Sequence, residues 1–127
     1  MNIKKLVVGS MFSMLLGSEM AAADWGDVYY CQMTNLDEIT LEGEKKNWKL
    51  EKFQFKLDQT KNAMVFGSTG YFQDVLIELT KGFNFPKDEM WFARNFFYNT
   101  FFQNGKLMIA STGASGITSV SADCDKF

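Results

Sequence analysis

Cys31 and Cys124 constrain this chain more than any other feature. They are the only two cysteines in 127 residues, and they lie near opposite ends of the stretch 24–127. A bond between them requires the first and last parts of the fold to lie side by side, because bridged cysteines need Cα atoms within about 7 Å of each other.

Whether such a bond forms depends on the compartment. Lys4 and Lys5 supply a positive start, residues 6–17 are uncharged and mostly apolar, and residues 18–23 are mainly small. Ala21-Ala22-Ala23 fits the rule for signal cleavage, with the cut after Ala23 and the mature chain beginning at Asp24. A spanning helix needs about 20 apolar residues, and this core holds roughly a dozen before Ser18 and Glu19 interrupt it. Residues 1–23 are therefore expected to be a cleaved export signal, leaving no stable membrane anchor. Val28-Tyr29-Tyr30 is too bulky a lead-in for Cys31 to be a lipid-anchoring cysteine. The expected destination is the periplasm or the exterior, and the short positive start with its Ala-rich cut site favours a bacterial periplasm. There an intramolecular Cys31–Cys124 disulfide is expected, the alternatives being two free thiols or a bridge between copies. It would close a loop of roughly 94 residues, which chain entropy values at about 4.7 kcal/mol at most.

Residues 24–127 form one domain on length alone, able to bury a modest core. The chain has 13 Phe, 3 Trp and 4 Tyr, and of these only Phe12 falls in the signal. With a formal net charge of −2 there is no basic excess to attract phosphates, so nucleic acid is not an expected partner.

Residues 28–34 are rich in strand formers, Asn35-Leu36-Asp37 suggests a turn, and residues 43–47 suggest another. From Trp48 the apolar residues alternate as Trp48 and Leu50, then slip phase at Glu51-Lys52 and continue as Phe53, Phe55 and Leu57. Alternation is the strand period, and a slip by one predicts a β-bulge. Residues 58–62 turn the chain into a returning strand at 63–66. Residues 72–79 carry both a helical spacing (Phe72, Val75, Leu76, Leu79) and an alternation (Val75, Ile77, Leu79), with strand favoured by its surroundings. Residues 83–89 form a loop around the only proline, Pro86. Strands are expected at 90–93, 96–102 and 107–110, with an Asn104-Gly105 turn, whose two positions tolerate positive φ. A turn at 112–116 leads to a last strand ending at Cys124. Short strands joined by polar turns predict an all-β antiparallel barrel or sandwich of about seven or eight strands, closed by the disulfide.

The chain has no histidine, which removes Ser-His-Asp and Cys-His mechanisms and disfavours a zinc site. No cofactor or metal is expected. The carboxylate pairs Asp37-Glu38 and Asp88-Glu89 read as turn residues, as do the two glycine-bounded loops, 67–70 and 113–116. An enzyme is the least expected class.

The segment 90–102 is the most unusual. Trp91-Phe92, Phe96-Phe97 and Phe101-Phe102 are adjacent aromatic pairs, and Arg94, the only arginine, lies among them. Neighbours on a strand point to opposite faces, so at least two of these rings must leave the main core. They would line a cavity, meet a partner or stay exposed. Arg94 would clamp a carboxylate or stack on a ring. Trp91, Phe92, Arg94, Phe96, Phe97, Phe101 and Phe102 are therefore the candidate contacts for an apolar small molecule or, alternatively, for a protein.

Tyr29-Tyr30-Cys31, then Gly67-Ser68-Thr69-Gly70-Tyr71, then Lys81-Gly82 occur in an order similar to that of the small periplasmic inhibitors of c-type lysozyme. That resemblance implies a compact β-barrel and, as the alternative function, a protein-binding inhibitor module.

Overall fold

The computed structural model describes residues 22–80 and 90–127, so the expected signal, apart from Ala22 and Ala23, and the expected loop at 83–89 lie outside the described residues. Nine strands are described: β1 (Val28–Thr40), β2 (Lys45–Asn47), β3 (Lys52–Asp58), β4 (Ala63–Phe66), β5 (Leu76–Glu78), β6 (Trp91–Arg94), β7 (Tyr98–Gln103), β8 (Lys106–Gly113) and β9 (Gly116–Lys126). They form one antiparallel sheet in the order β5-β4-β3-β1-β9-β8-β7-β6, with β2 on the flank of β1. Its two edges meet. Leu79 bridges Ala93, and the Thr80 N–H donates to the Phe92 carbonyl at 2.7 Å. The result is an up-and-down barrel of eight principal strands, closed by the disulfide between β1 and β9.

An eight-stranded barrel is just wide enough for side chains to fill it, and the inward positions here are dominated by rings. Tyr29 stacks on Phe55 at 5.4 Å and meets Phe102 edge-on at 4.8 Å, while Phe72 packs against Phe53 at 5.1 Å and Phe66 at 5.2 Å. At the end where the described chain begins, Trp25 lies edge-on to Trp91 at 5.2 Å. Hydrogen bonds from Gly26 N–H to Leu57 O and from Leu57 N–H to Asp27 O hold that segment against β3. Alternation explains the filling: Tyr29, Cys31 and Met33 of β1, Phe53, Phe55 and Leu57 of β3, and Leu107 and Ile109 of β8 are all buried, with exposed or half-buried residues between them.

The structure departs from the local sequence pattern at several places. Asn35-Leu36-Asp37 is not a turn. β1 runs through it, because Leu36 is buried opposite Val120 and a register shift between Ser121 and Ala122 absorbs one residue. The phase slip at Glu51-Lys52 is not a bulge within one strand. Residues 48–51 are a break between β2 and β3, which both pair with the same flank of β1. Trp48 N–H reaches Leu36 O at 2.9 Å and Met33 N–H reaches Glu51 O at 3.0 Å, so the break follows β1 across its bulge. Residues 71–74 are a turn with Asp74 at a φ of 60°, and only Leu76–Glu78 is strand. Phe96 and Phe97 lie in a turn, where the Asn95 side chain accepts from the N–H groups of Phe97 and Tyr98 at 2.9 and 2.7 Å. The Asn104-Gly105 turn forms as expected, with φ of 52° and 75°.

Candidate functional site

Register brings the unusual aromatic segment together with two strands that carry no aromatic signal. On the outer face, Phe92 pairs with Phe101, Phe101 with Met108, and Met108 with Ser121, one row across β6, β7, β8 and β9. The next outward row is Arg94, Asn99, Ala110 and Ser119, by the same ladders. Phe92 and Phe101 are half-buried, with ring centroids 5.1 Å apart. Ala110, Ser119 and Ser121 are small, so the surface dips between the taller side chains of the two rows. The dip is an open groove of about 550 Å³, and Thr80 contributes to its lining.

The seven candidate residues therefore divide three ways. Trp91 and Phe102 are core, each about 1 % exposed. Phe92, Arg94 and Phe101 line the groove. Phe96 and Phe97 stand at the β6–β7 turn, 92 % and 54 % exposed and edge-to-face with each other at 5.0 Å. The segment does not surround a single interior cavity, because alternation sends its rings to opposite faces.

Arg94 is exposed, and among the described residues no carboxylate lies within ion-pairing distance of it; the two ion pairs present there, Lys106–Asp123 and Lys126–Asp27, lie elsewhere. Among the described residues, the groove thus offers the Arg94 guanidinium, the Asn99 amide, two serine hydroxyls and an apolar row. That is a set suited to binding and poor in acid–base chemistry. No group of histidine, cysteine, aspartate or glutamate among the described residues could hold a metal ion.

Sequence reading missed Met108, Asn99, Ala110, Ser119 and Ser121. Their types are unremarkable, and only the register of β8 and β9 against β7 brings them to the aromatic pair. Asp37 and Glu38, expected in a turn, lie on opposite faces of β1, where Asp37 accepts a hydrogen bond from the Asn47 amide and Glu38 from the Trp48 indole. Of the lysozyme-inhibitor echoes, Tyr29-Tyr30-Cys31 lies in β1 and Tyr71 ends the 67–70 loop, while Lys81-Gly82 lies outside the described residues.

These features define a small antiparallel β-barrel with a cross-strand disulfide and a solvent-open groove on its outer wall. No protein-family model, curated protein or solved structure matches the chain, so the functional reading rests on the site's own chemistry. No helix among the described residues is long and apolar enough to cross a membrane.

Proposed function

We propose that this is an exported, non-enzymatic binding protein whose outer groove takes a small apolar ligand carrying an acidic group. The observation behind the reading is the pair of adjacent rows: an apolar strip Phe92–Phe101–Met108 beside Arg94, Asn99 and Ser119. An alkyl or aryl body would lie along the strip, and its carboxylate would meet the guanidinium, a charge-assisted pairing stronger than a neutral hydrogen bond. A pocket with mostly apolar walls and a few converging polar groups is the usual form of a small-molecule site. Export is supported by the order of charge, apolar run and Ala21-Ala22-Ala23 in the sequence, and by a disulfide that suits an oxidising space. Intact mass of the exported protein should begin at Asp24.

Calorimetric titration with laurate and with dodecanol tests the site. Laurate should bind saturably and more tightly than dodecanol. Arg94→Gln should weaken laurate by about tenfold while leaving dodecanol unchanged. Absence of saturable binding by either compound would sink this reading. The second reading, a protein-binding or inhibitor module, is favoured by the exposure of Phe96 and Phe97 beside Arg94. Inhibition of c-type lysozyme by the intact protein, lost in a Phe96→Ser and Phe97→Ser double variant, would support that reading instead.

A further inference from the structure

A second depression lies at the mouth of the barrel, on the inner face of β1 beyond its bulge, apart from the groove. Its lining includes Leu36, Glu38, Trp48, Lys49, Glu51 and Tyr71, around a volume of about 370 Å³. Leu36, 3 % exposed, belongs to the core and forms an apolar floor. Trp48 and Tyr71 stand 51 % and 42 % exposed, each presenting ring surface to solvent. Rings with exposed faces can serve as ligand contacts, and barrel mouths are a favoured place for ligand sites.

One side-chain contact links the rings to β1. The indole of Trp48 donates to Glu38 at 3.1 Å, which fixes both side chains, and Glu38 stands opposite Thr118 across the β1–β9 ladder. The Glu51 backbone is held against β1, its carbonyl accepting from Met33 N–H at 3.0 Å, and its side chain is exposed. The Tyr71 hydroxyl is held protonated above its ordinary range, first by burial, then by Tyr98 and by the charges of Glu38 and Glu51. As a neutral phenol in the same lining as Glu38 and Glu51, it can offer a ligand a donor.

Charge identifies the class of ligand. Two carboxylates are balanced by Lys49 at the rim and by Lys46, whose ammonium already lies 5.8 Å over the Trp48 ring. A free cation would compete with Lys46 for the same indole. A free anion would meet two carboxylates. A neutral ring bearing hydroxyl groups must still share the indole with that ammonium, but it meets no like charge there: its C–H faces can lie against aromatic rings, and its hydroxyls both donate to carboxylates and accept from an ammonium and a phenol. We propose that the barrel mouth binds a neutral saccharide between Trp48 and Tyr71, with Glu38, Glu51 and Lys49 hydrogen-bonding its hydroxyls. This site is independent of the outer groove and of its apolar ligand.

Three neutral trisaccharides (cellotriose, maltotriose and triacetylchitotriose) serve as probes, with choline as the cationic comparison. In a nitrogen–proton correlation spectrum of the intact protein, at least one trisaccharide should shift the Trp48 indole resonance saturably. By calorimetry, Trp48→Ala and Tyr71→Ala should each weaken that sugar by about tenfold or more. Glu51→Gln, at an exposed position, should weaken it several-fold without altering the fold. Phe101→Ala, in the outer groove, should leave it unchanged. The proposal is overturned if no trisaccharide moves the Trp48 resonance up to its solubility limit. It is equally overturned if choline alone does so, or if binding survives the mouth variants and is lost with Phe101→Ala.

Discussion

Cys31 faces Cys124 directly across the β1–β9 ladder, with Cα atoms 4.0 Å apart. The Cys124 N–H donates away from this pair, to the Gly105 carbonyl at 2.7 Å, so the two cysteines occupy a non-hydrogen-bonded position of the antiparallel ladder, where Cα atoms approach most closely. Both side chains point inward, 3 % and 2 % exposed. The bond therefore joins the first and last strands from inside the core, at a sequence separation of 93.

Two consequences are measurable. Because the sulfurs are buried, reductant without denaturant should react slowly, and the native protein should show no alkylatable thiol. A double Cys31→Ala, Cys124→Ala variant should lose roughly 2–5 kcal/mol in urea unfolding, since a long closed loop is released in the unfolded chain. Full alkylation of two thiols without reductant would refute the pairing.

Much of this architecture is legible in the sequence because the controlling signals are local. Asn104-Gly105, residues 58–62 and the alternation of Phe53, Phe55 and Leu57 each act within a few positions. What was not legible depends on partners far along the chain. Leu36 between Asn35 and Asp37 resembles a turn until Val120 is placed opposite it. Phe72 resembles part of a helix or strand, yet its ring reaches the core from a turn. The groove has the same origin. Phe92 and Phe101 stand out as aromatics, but the small residues that make the dip, Ala110, Ser119 and Ser121, acquire meaning only through register.

The aromatic segment should divide cleanly under substitution. Trp91→Ala and Phe102→Ala remove fully buried rings and should cost about 3–5 kcal/mol each. Phe96→Ser and Phe97→Ser, at an exposed turn, should stay within about 0.5 kcal/mol of the parent. Phe101→Ser loses one half-buried partner of the Phe92 pair and should fall between, at about 0.5–1.5 kcal/mol. Urea midpoints read all five. A cost of several kcal/mol at Phe96 would mean that its ring is not free of the core.

Gly116 starts β9 where it pairs with Thr40 on one side and Gly113 on the other. Its φ is +145°, and a Cβ there would lie 2.1 Å from the Ile39 carbonyl oxygen, a contact with backbone that no rotamer relieves. Gly116→Ala should therefore destabilise by about 2–4 kcal/mol. Gly43, at a φ of +87° with open space around it, supplies the comparison. Gly43→Ala carries only the backbone cost, about 1 kcal/mol. Equal losses at the two sites would show that the approach of β1 to Gly116 is not what limits substitution.

Tyr29 provides a pH test of the barrel interior. Its ring is fully buried against Phe55 and Phe102, and among the described residues no group hydrogen-bonds its hydroxyl. Burial, and secondarily the charge of Asp27, push its pKa from 10 up to about 12. The native state then holds this proton at pH values where the unfolded chain has released it. Linkage makes stability fall with rising pH wherever the native state binds more protons. The contribution is intact below pH 10 and is lost progressively as pH rises from about 10 to about 12, by roughly 2–3 kcal/mol in all. Tyr29→Phe cannot titrate and should lack this part of the alkaline decline. At neutral pH the same change should be nearly neutral or slightly stabilising, because it removes a buried hydroxyl that no described group satisfies. Urea unfolding of parent and variant at pH 8 and pH 11.5 gives the comparison, and the titration of every other tyrosine cancels in the difference. The variant should gain on the parent at the higher pH, and an unchanged difference would show that Tyr29 ionises as easily in the barrel as in the unfolded chain.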